Sequence, residues 1–283
     1  MDAPAAMESK GHDDQQMNRA VVTMITDDGF KTAVEVLIFS LLHKRRTNAK
    51  IVVLVTPQVS NVTKDALSRN ERVTLKEVEA IPNQASTSHV EGWINSGYTK
   101  LHIWNLVEYT RVLYIDADAL VLENIDELFE RNTNFAAAPD IFPPDKFNAG
   151  VLLIQPNKAI YSDLLSCIDS LPSYDGGDTG FLNSFFKDWY LMPSDARLPF
   201  SYNAQRTLHW LTSSKNPGYW NSIGTIKILH FSSNPKPWQT AKKGELEMLW
   251  WKFYLQLQMM GGLEGASSGG GASVFGGGLL DEF

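Results

Sequence analysis

Two carboxylates one residue apart, in Asp116-Ala117-Asp118, stand directly after the apolar run Arg111 to Ile115. Oxygens so placed at a strand end can share one hard divalent cation, which completes its shell with phosphate oxygens. The same spacing also fits an ordinary turn. His230 closes a second apolar run, Ile226 to Leu229, and opens the stretch His230-Phe231-Ser232-Ser233-Asn234-Pro235-Lys236-Pro237-Trp238. Its imidazole could be a third metal ligand or a satisfied core histidine. Lys236 lies between two prolines, whose rings restrict the backbone around it. An ammonium held that way suits a diphosphate leaving group, although a solvated lysine fits the same position. In Asp175-Gly176-Gly177-Asp178-Thr179-Gly180, Asp178 either caps the helical stretch Phe181 to Phe186 or aims its carboxylate at a sugar, the glycines letting backbone come close. Phe147-Asn148-Ala149-Gly150 precedes the run Val151 to Gln155. There Asn148 could hold hydroxyl groups, or the tetrapeptide is a turn.

These groups need a scaffold, and the pattern supplies one. Ala20 to Thr26, Lys50 to Thr56, Val73 to Val78 and Arg111 to Ile115 are short runs rich in β-branched residues. Helical spacing separates them at Phe30 to His43, Thr63 to Asn70 and Tyr98 to Tyr109. Such alternation predicts an α/β fold with a mostly parallel sheet flanked by helices. In sheets of that kind ligands bind beyond the carboxyl ends of the strands, where Thr26-Asp27-Asp28 and Asp116-Ala117-Asp118 fall. A single domain over residues 18–260 is expected, between a polar segment, 1–17, and a Gly/Ser-rich tail, 261–283, whose composition cannot offset its ordering entropy.

Composition narrows the functions. The 283 residues are 43% hydrophobic and carry a net charge of -7 from 25 basic and 32 acidic side chains. Such a chain repels a phosphate-coated polymer, so no nucleic-acid partner is expected, but it can take a nucleotide diphosphate with a cation between the charges. The single cysteine, Cys167, allows no intrachain disulfide. No basic segment followed by an apolar run opens the chain, and no apolar stretch of about 18 residues could span a bilayer. The expectation is a cytoplasmic enzyme without a membrane partner.

In order along the chain stand DAD, FNAG, DGGDTGFLN and HFSSNPKPW, with the linking stretches KIVVLVTPQVS, TKLHIW, ENIDELFE and LPFSYN. From about Arg19 to about Trp238 the chain therefore resembles glycogenin and its relatives in glycosyltransferase family 8. The resemblance implies a GT-A fold, with a Rossmann-like sheet, and retaining, manganese-dependent transfer of a hexose from a UDP-sugar, magnesium being a possible substitute. It implies that Asp116, Asp118 and His230 hold the metal, with Ala117 between them. Lys236 would contact the diphosphate, in a motif where Ser233 replaces the usual Gly. Met24, Thr26, Asp27 and Phe30, the last where the family often has Tyr, match positions near the uridine. Lys100 matches a lysine near the donor phosphate and sugar, and Asn148, Ala149, Asp175 and Asp178 match the sugar-binding and catalytic strip. Asp178 is the candidate nucleophile if a covalent intermediate forms; attack from the leaving group's own face is the alternative. A homodimer also follows from the resemblance.

Two departures bear on the acceptor. Thr179 stands where the family commonly has Gln, and Trp210 stands where glycogenins carry the tyrosine they glucosylate on themselves. The chain therefore resembles more closely the short glycogenin-like enzymes of protists, cytoplasmic α-galactosyltransferases that extend a glycan on the Skp adaptor of SCF ubiquitin ligases. That likeness implies UDP-galactose as donor and a glycoprotein acceptor docking near Thr179 and Trp210. A self-glucosylating primer using UDP-glucose is the alternative, and an inactive UDP-sugar-binding protein a third reading.

Overall fold

The computed structural model describes residues 18–83, 97–241 and 244–264. Strands form at β1 (Arg19–Ile25), β2 (Lys50–Val55), β3 (Val73–Glu77), β4 (Arg111–Ile115), β5 (Ala119–Val121), β6 (Phe135–Pro139), β7 (Phe147–Ile154), β8 (Ala204–Gln205) and β9 (Ile228–His230). Helices form at α1 (Lys31–Phe39), α2 (Asn61–Ser68), α3 (Lys158–Cys167), α4 (Asp178–Phe185), α5 (Arg206–Thr212), α6 (Gly218–Asn221) and α7 (Glu245–Met259).

A six-stranded sheet in the order β3-β2-β1-β4-β7-β6 runs through the molecule. β3, β2, β1 and β4 are parallel, and β7 is antiparallel to both its neighbours. The expected mostly parallel sheet is what forms. Its inner strands are apolar almost without interruption because both faces are covered. Alternation sorts their side chains into two cores. Val21, Ile25, Leu113 and Ile115 pack with α1 and with Trp250 and Phe253 of α7. Ala20, Val22, Val112 and Tyr114 pack with Trp104, Phe181 and Trp189. A smaller sheet, β5-β9-β8, stands beside the large one. The chain leaves β1 towards β2 on one side and finds β4 on the other, so the switch point, and the ligand crevice it creates, lies between the carboxyl ends of β1 and β4.

Four expectations are corrected. The helix expected over Tyr98 to Tyr109 is a 3-10 coil over Thr99–Asn105, closed by bonds such as Leu101 N–H to Tyr98 O, 2.9 Å. Thr99, Lys100, Leu101, Ile103 and Trp104 are all buried, with Asn105 exposed at the end, so the segment lacks the continuous polar stripe around which an amphipathic helix is organised. The helix expected to reach His43 ends at Phe39 and widens into a π-turn over Ser40–Lys44. Phe147 to Gly150 is the first half of β7 rather than a turn ahead of it, because its backbone pairs with β6 and continues the ladder to β4. Gly261 and Gly262, assigned by composition to the tail, turn back at positive φ. They seat Leu263, 4% exposed, in the main core, and its carbonyl accepts from Asn70 Nδ2 at 3.0 Å. The packed domain therefore reaches Glu264, and the segments 1–17 and 265–283 lie outside the described residues. No helix among the described residues is long and apolar enough to cross a membrane.

Candidate active site

Strand register builds the site. Ile115 pairs with Val151, and one residue on Asp116 N–H donates to Gly150 O at 2.8 Å. Ala119 pairs with His230, and Phe231 N–H donates to Asp118 O at 3.0 Å. Ladders from two sheets thus deliver both aspartates and the histidine to one point. Asp116, Asp118 and His230 each offer a ligand atom, all within 4.8 Å of one another. His230 Nε2 is 3.2 Å from Asp118 Oδ1 and 3.8 Å from Asp116 Oδ2.

The tautomer of His230 follows from its other nitrogen. Gly150 N–H donates to Asn148 Oδ1 at 2.9 Å, which fixes that oxygen as an acceptor. Asn203 Nδ2 donates to the same oxygen at 2.9 Å, so Asn203 Oδ1 must face the imidazole. Nδ1–H of His230 donates to it at 2.7 Å, which leaves Nε2 as the nitrogen turned towards the two aspartates and available to a cation. Metal-ligating histidines are commonly oriented by such an outer partner. Two carboxylates and an imidazole in this state fit a divalent cation. Gly150 is required at close quarters, since a Cβ there would lie 2.3 Å from His230 Cε1.

Two buried lysines flank the ligands. Lys236 Nζ donates to Asp118 Oδ2 at 2.6 Å and to Phe231 O at 2.8 Å. Burial alone would raise the Asp118 pKa, but Lys236 and His230 outweigh it and hold the group below the ordinary carboxylate range. Lys100 Nζ lies 3.0 Å from Asp116 Oδ1, donates to Ala149 O at 2.9 Å and is ion-paired with Asp178. Burial opposes its charge, yet the two carboxylates raise its pKa above the usual lysine value. Asp178 is shifted upward, first by burial and then by Asp116, with Lys100 opposing. The two partners differ because one ammonium serves two carboxylates. Tyr114 O–H donates to Asp116 Oδ1 at 2.7 Å.

The Gly-rich stretch divides its work. Asp178 is the first residue of α4 and makes no cap; Gly177 holds the N-cap position. Asp175 does the capping, its Oδ1 accepting from Gly177 N–H and Gly180 N–H, both at 2.9 Å. Asp178 is thereby left to face Lys100. Thr179 Oγ1 accepts from Ala149 N–H at 3.1 Å, and Asn183 bonds both backbone groups of Phe147. These bonds stitch α4 to the strand that carries Asn148.

A cavity of about 520 Å³ joins these groups, a size common for small-molecule sites. Met24, Thr26, Asp27 and Phe30 line one end. Lys100, the Asp116-Ala117-Asp118 turn, Asn148, Asp175, Asp178, Thr179, His230 and Lys236 line the rest. Three expected residues do not reach the wall. Ala149 contributes its carbonyl to Lys100 from behind. Ser233 turns both its oxygens to Arg206. Trp210, on α5, lies over the Arg206 guanidinium, 3.9 Å from ring centroid to carbon. Sequence reasoning missed Tyr114, Asp140, Asn203 and Gln205. Asn203 ends the LPFSYN stretch, the one signal that could have drawn attention to it. Gln205 Nε2 donates to Asp140 Oδ1 at 2.9 Å on the cavity wall.

A nucleotide-binding type of sheet whose switch point holds two carboxylates, an imidazole and two lysines in one cavity defines a GT-A type glycosyltransferase. The description Glycosyl transferase family 8 matches residues 21–242, and the chain belongs to that family. It is 36% identical over 243 residues to glycogenin-1 of Caenorhabditis elegans, covering 84% of this chain and 56% of that one. To glycogenin-1 of Oryctolagus cuniculus it is 37% identical over 223 residues, covering 78% and 66%. The chain thus spans about six tenths of the length of these relatives. The glycosyltransferase GlyE of Streptococcus pneumoniae TIGR4 superposes with a TM-score of 0.64 at 23% identity, covering 84% of this chain and 60% of that one.

Proposed function

We propose that the chain is a retaining, metal-dependent hexosyltransferase that moves a hexose, galactose by preference, from a UDP-sugar in α linkage to a glycan on another cytoplasmic protein. The observation that carries this reading is the convergence of Asp116, Asp118, His230, Lys100 and Lys236 on one cavity. A manganese ion held by the first three would supply Lewis-acid neutralisation of the departing diphosphate. Lys236 adds a fixed positive charge on the same side. Met24, Thr26, Asp27 and Phe30 form the uridine end. Asn148 and Asp178 face the sugar, whose reacting carbon becomes positive as the donor bond breaks. Asp178 sits where a carboxylate can stabilise that charge or attack it, and Lys100 keeps it oriented for either route.

The acceptor reading rests on Trp210, an indole where a self-priming enzyme needs a phenol, and on a wall at Thr179 that departs from the family pattern. The exposed face of Trp210 is a surface on which a sugar ring can rest. The Skp adaptor is the acceptor protein that the resemblance suggests, and a homodimer the assembly. Identity to glycogenins favours a second reading, self-glucosylation. One screen separates them. Hydrolysis and transfer are measured across UDP-hexoses with and without manganese, followed by intact-mass analysis of the enzyme. Manganese-dependent turnover with UDP-galactose and no mass increment is expected. Absence of turnover with every UDP-hexose overturns the transferase reading. A ladder of hexose increments with UDP-glucose, lost in Tyr219→Phe, replaces it with the primer.

A further inference from the structure

We propose that Arg206 is a positioning residue that holds the loop between His230 and Lys236 in its diphosphate-binding shape, anchored from α7 through Glu247. The proposal rests on the nucleotide-sugar reading above.

Arg206 follows β8 directly, and β8 pairs in parallel with β9, Gln205 opposite His230. Its side chain therefore emerges beside the metal-ligand strand, and it is fully buried. Nη1 donates to Glu247 Oε1 at 2.8 Å. Nη2 donates to Ser233 O at 2.6 Å, to Ser233 Oγ at 3.1 Å and to Pro235 O at 3.0 Å. One face of the guanidinium meets the Trp210 ring at 3.9 Å, and the Phe231 ring lies 5.3 Å away. Glu247 is held in turn, its Oε2 accepting Gly244 N–H at 3.0 Å in the first turn of α7.

The carbonyls of 233 and 235 belong to the segment that ends in Lys236. A buried guanidinium is costly unless every partner stays in place. A shift of this loop would strand a charge in a dry site, so the arginine enforces one loop geometry as well as bonding to it. The planar fork allows one group to face a carboxylate and two carbonyls together while stacking on a ring; a lysine ammonium cannot reproduce that arrangement. The side-chain hydrogen bonds of Arg206 go to Glu247, Ser233 and Pro235 rather than to a cavity-lining side chain or a metal ligand. Its charge reaches Asp118 only from a distance, so its hold on the diphosphate runs chiefly through the loop that carries Lys236.

The test is binding of UDP and of UMP to the full chain with manganese, by calorimetry, for wild type, Arg206→Lys, Lys236→Ala and the double variant. UMP lacks the terminal phosphate and reports the uridine end. Arg206→Lys is expected to weaken UDP about tenfold and UMP by less than about twofold, a size usual for residues coupled in one network. The double variant is expected to bind UDP no more than about twofold weaker than Lys236→Ala alone. Unchanged UDP affinity, equal losses for UDP and UMP, or additive losses in the double variant overturn the proposal. If Arg206→Lys does not fold, Glu247→Gln is measured in its place. It keeps an acceptor for Nη1 without the charge and must show the same selective loss, in smaller degree. A wild-type chain that binds neither nucleotide overturns the nucleotide-sugar reading itself.

Discussion

Asn203→Leu should damage the metal site without touching a metal ligand. Asn203 is fully buried, and the exchange keeps its shape while removing the oxygen that accepts His230 Nδ1–H at 2.7 Å. Asn148 Oδ1 keeps its bond from Gly150 N–H, so one donor, Nδ1–H, is stranded. A stranded buried donor costs about 1–3 kcal/mol, which sets the expected loss of stability. The larger effect falls on the cation. With Nδ1 no longer committed, the proton can sit on Nε2 and donate to Asp118 Oδ1, 3.2 Å away. That occupies the lone pair the cation needs. Losing such an outer partner typically weakens metal binding by about 10–100-fold, equivalent to about 1.4–2.7 kcal/mol. Free manganese measured by electron paramagnetic resonance during titration, with melting temperature alongside, reads both effects. Asn203→Asp is the control. Its carboxylate still accepts from Nδ1 but opposes Asn148 Oδ1, so stability should fall while manganese affinity stays within severalfold. Wild-type manganese affinity in a folded Asn203→Leu variant would refute the tautomer argument.

Gly150→Ala should also cost manganese affinity, by about tenfold or more, since its Cβ would lie 2.3 Å from His230 Cε1 and 2.6 Å from Nδ1; retained affinity in the titration would contradict this. Asp178→Asn should abolish transfer, and its stability should gain on that of the wild type as pH rises above about 4. The folded pKa of Asp178 is raised above the ordinary 3.8. The folded state therefore holds a proton that the unfolded chain has released, and stability is lost as pH rises through that window. The amide escapes this loss, so the difference in melting temperature should move in the variant's favour between about pH 4 and pH 8, and a difference that stays constant or moves the other way would count against it. Leu263→Ala should lower stability by about 2–3 kcal/mol, about 5–10 °C in melting temperature, because this side chain packs in the main core. An unchanged thermal melt would return residue 263 to the tail.

What could be read ahead of the structure follows from what each element must satisfy alone. β1, β2 and β4 are legible because a strand buried on both faces is apolar almost throughout, and Asp116 and Asp118 because they end such a run. Tyr98 to Tyr109 misled because its apolar residues fit a helical spacing, whereas the run Thr99 to Leu101 is buried without a break and singles out no one face. Phe147 to Gly150 has turn-like composition, which pairing with β6 and β4 overrides. Trp210 drew attention as an aromatic in an acceptor position, and nothing nearby in sequence showed that its ring would lie over Arg206. Asn203 and Arg206 make their side-chain hydrogen bonds to partners 27 to 55 residues away. No local pattern encodes such pairs.

The two halves of the site are not independent. Lys100 stands 3.0 Å from Asp116 on the metal side and is ion-paired with Asp178 on the sugar side. It also donates to the Ala149 carbonyl and sits 4.9 Å from the Tyr114 ring centroid. A tight 3-10 coil in which Thr99, Lys100 and Leu101 are all buried is what delivers an ammonium to that depth, and the two carboxylates keep it charged there. Any positive charge placed on Asp116 from the metal side must weaken its hold on Lys100 and leave more of that ammonium to Asp178. Occupation of the cation site and ionisation of Asp178 are therefore linked in sign: each favours the other. A cation held by Asp116 and Asp118 would therefore ease the negative charge on Asp178 beside the sugar, where positive charge develops as the donor bond breaks.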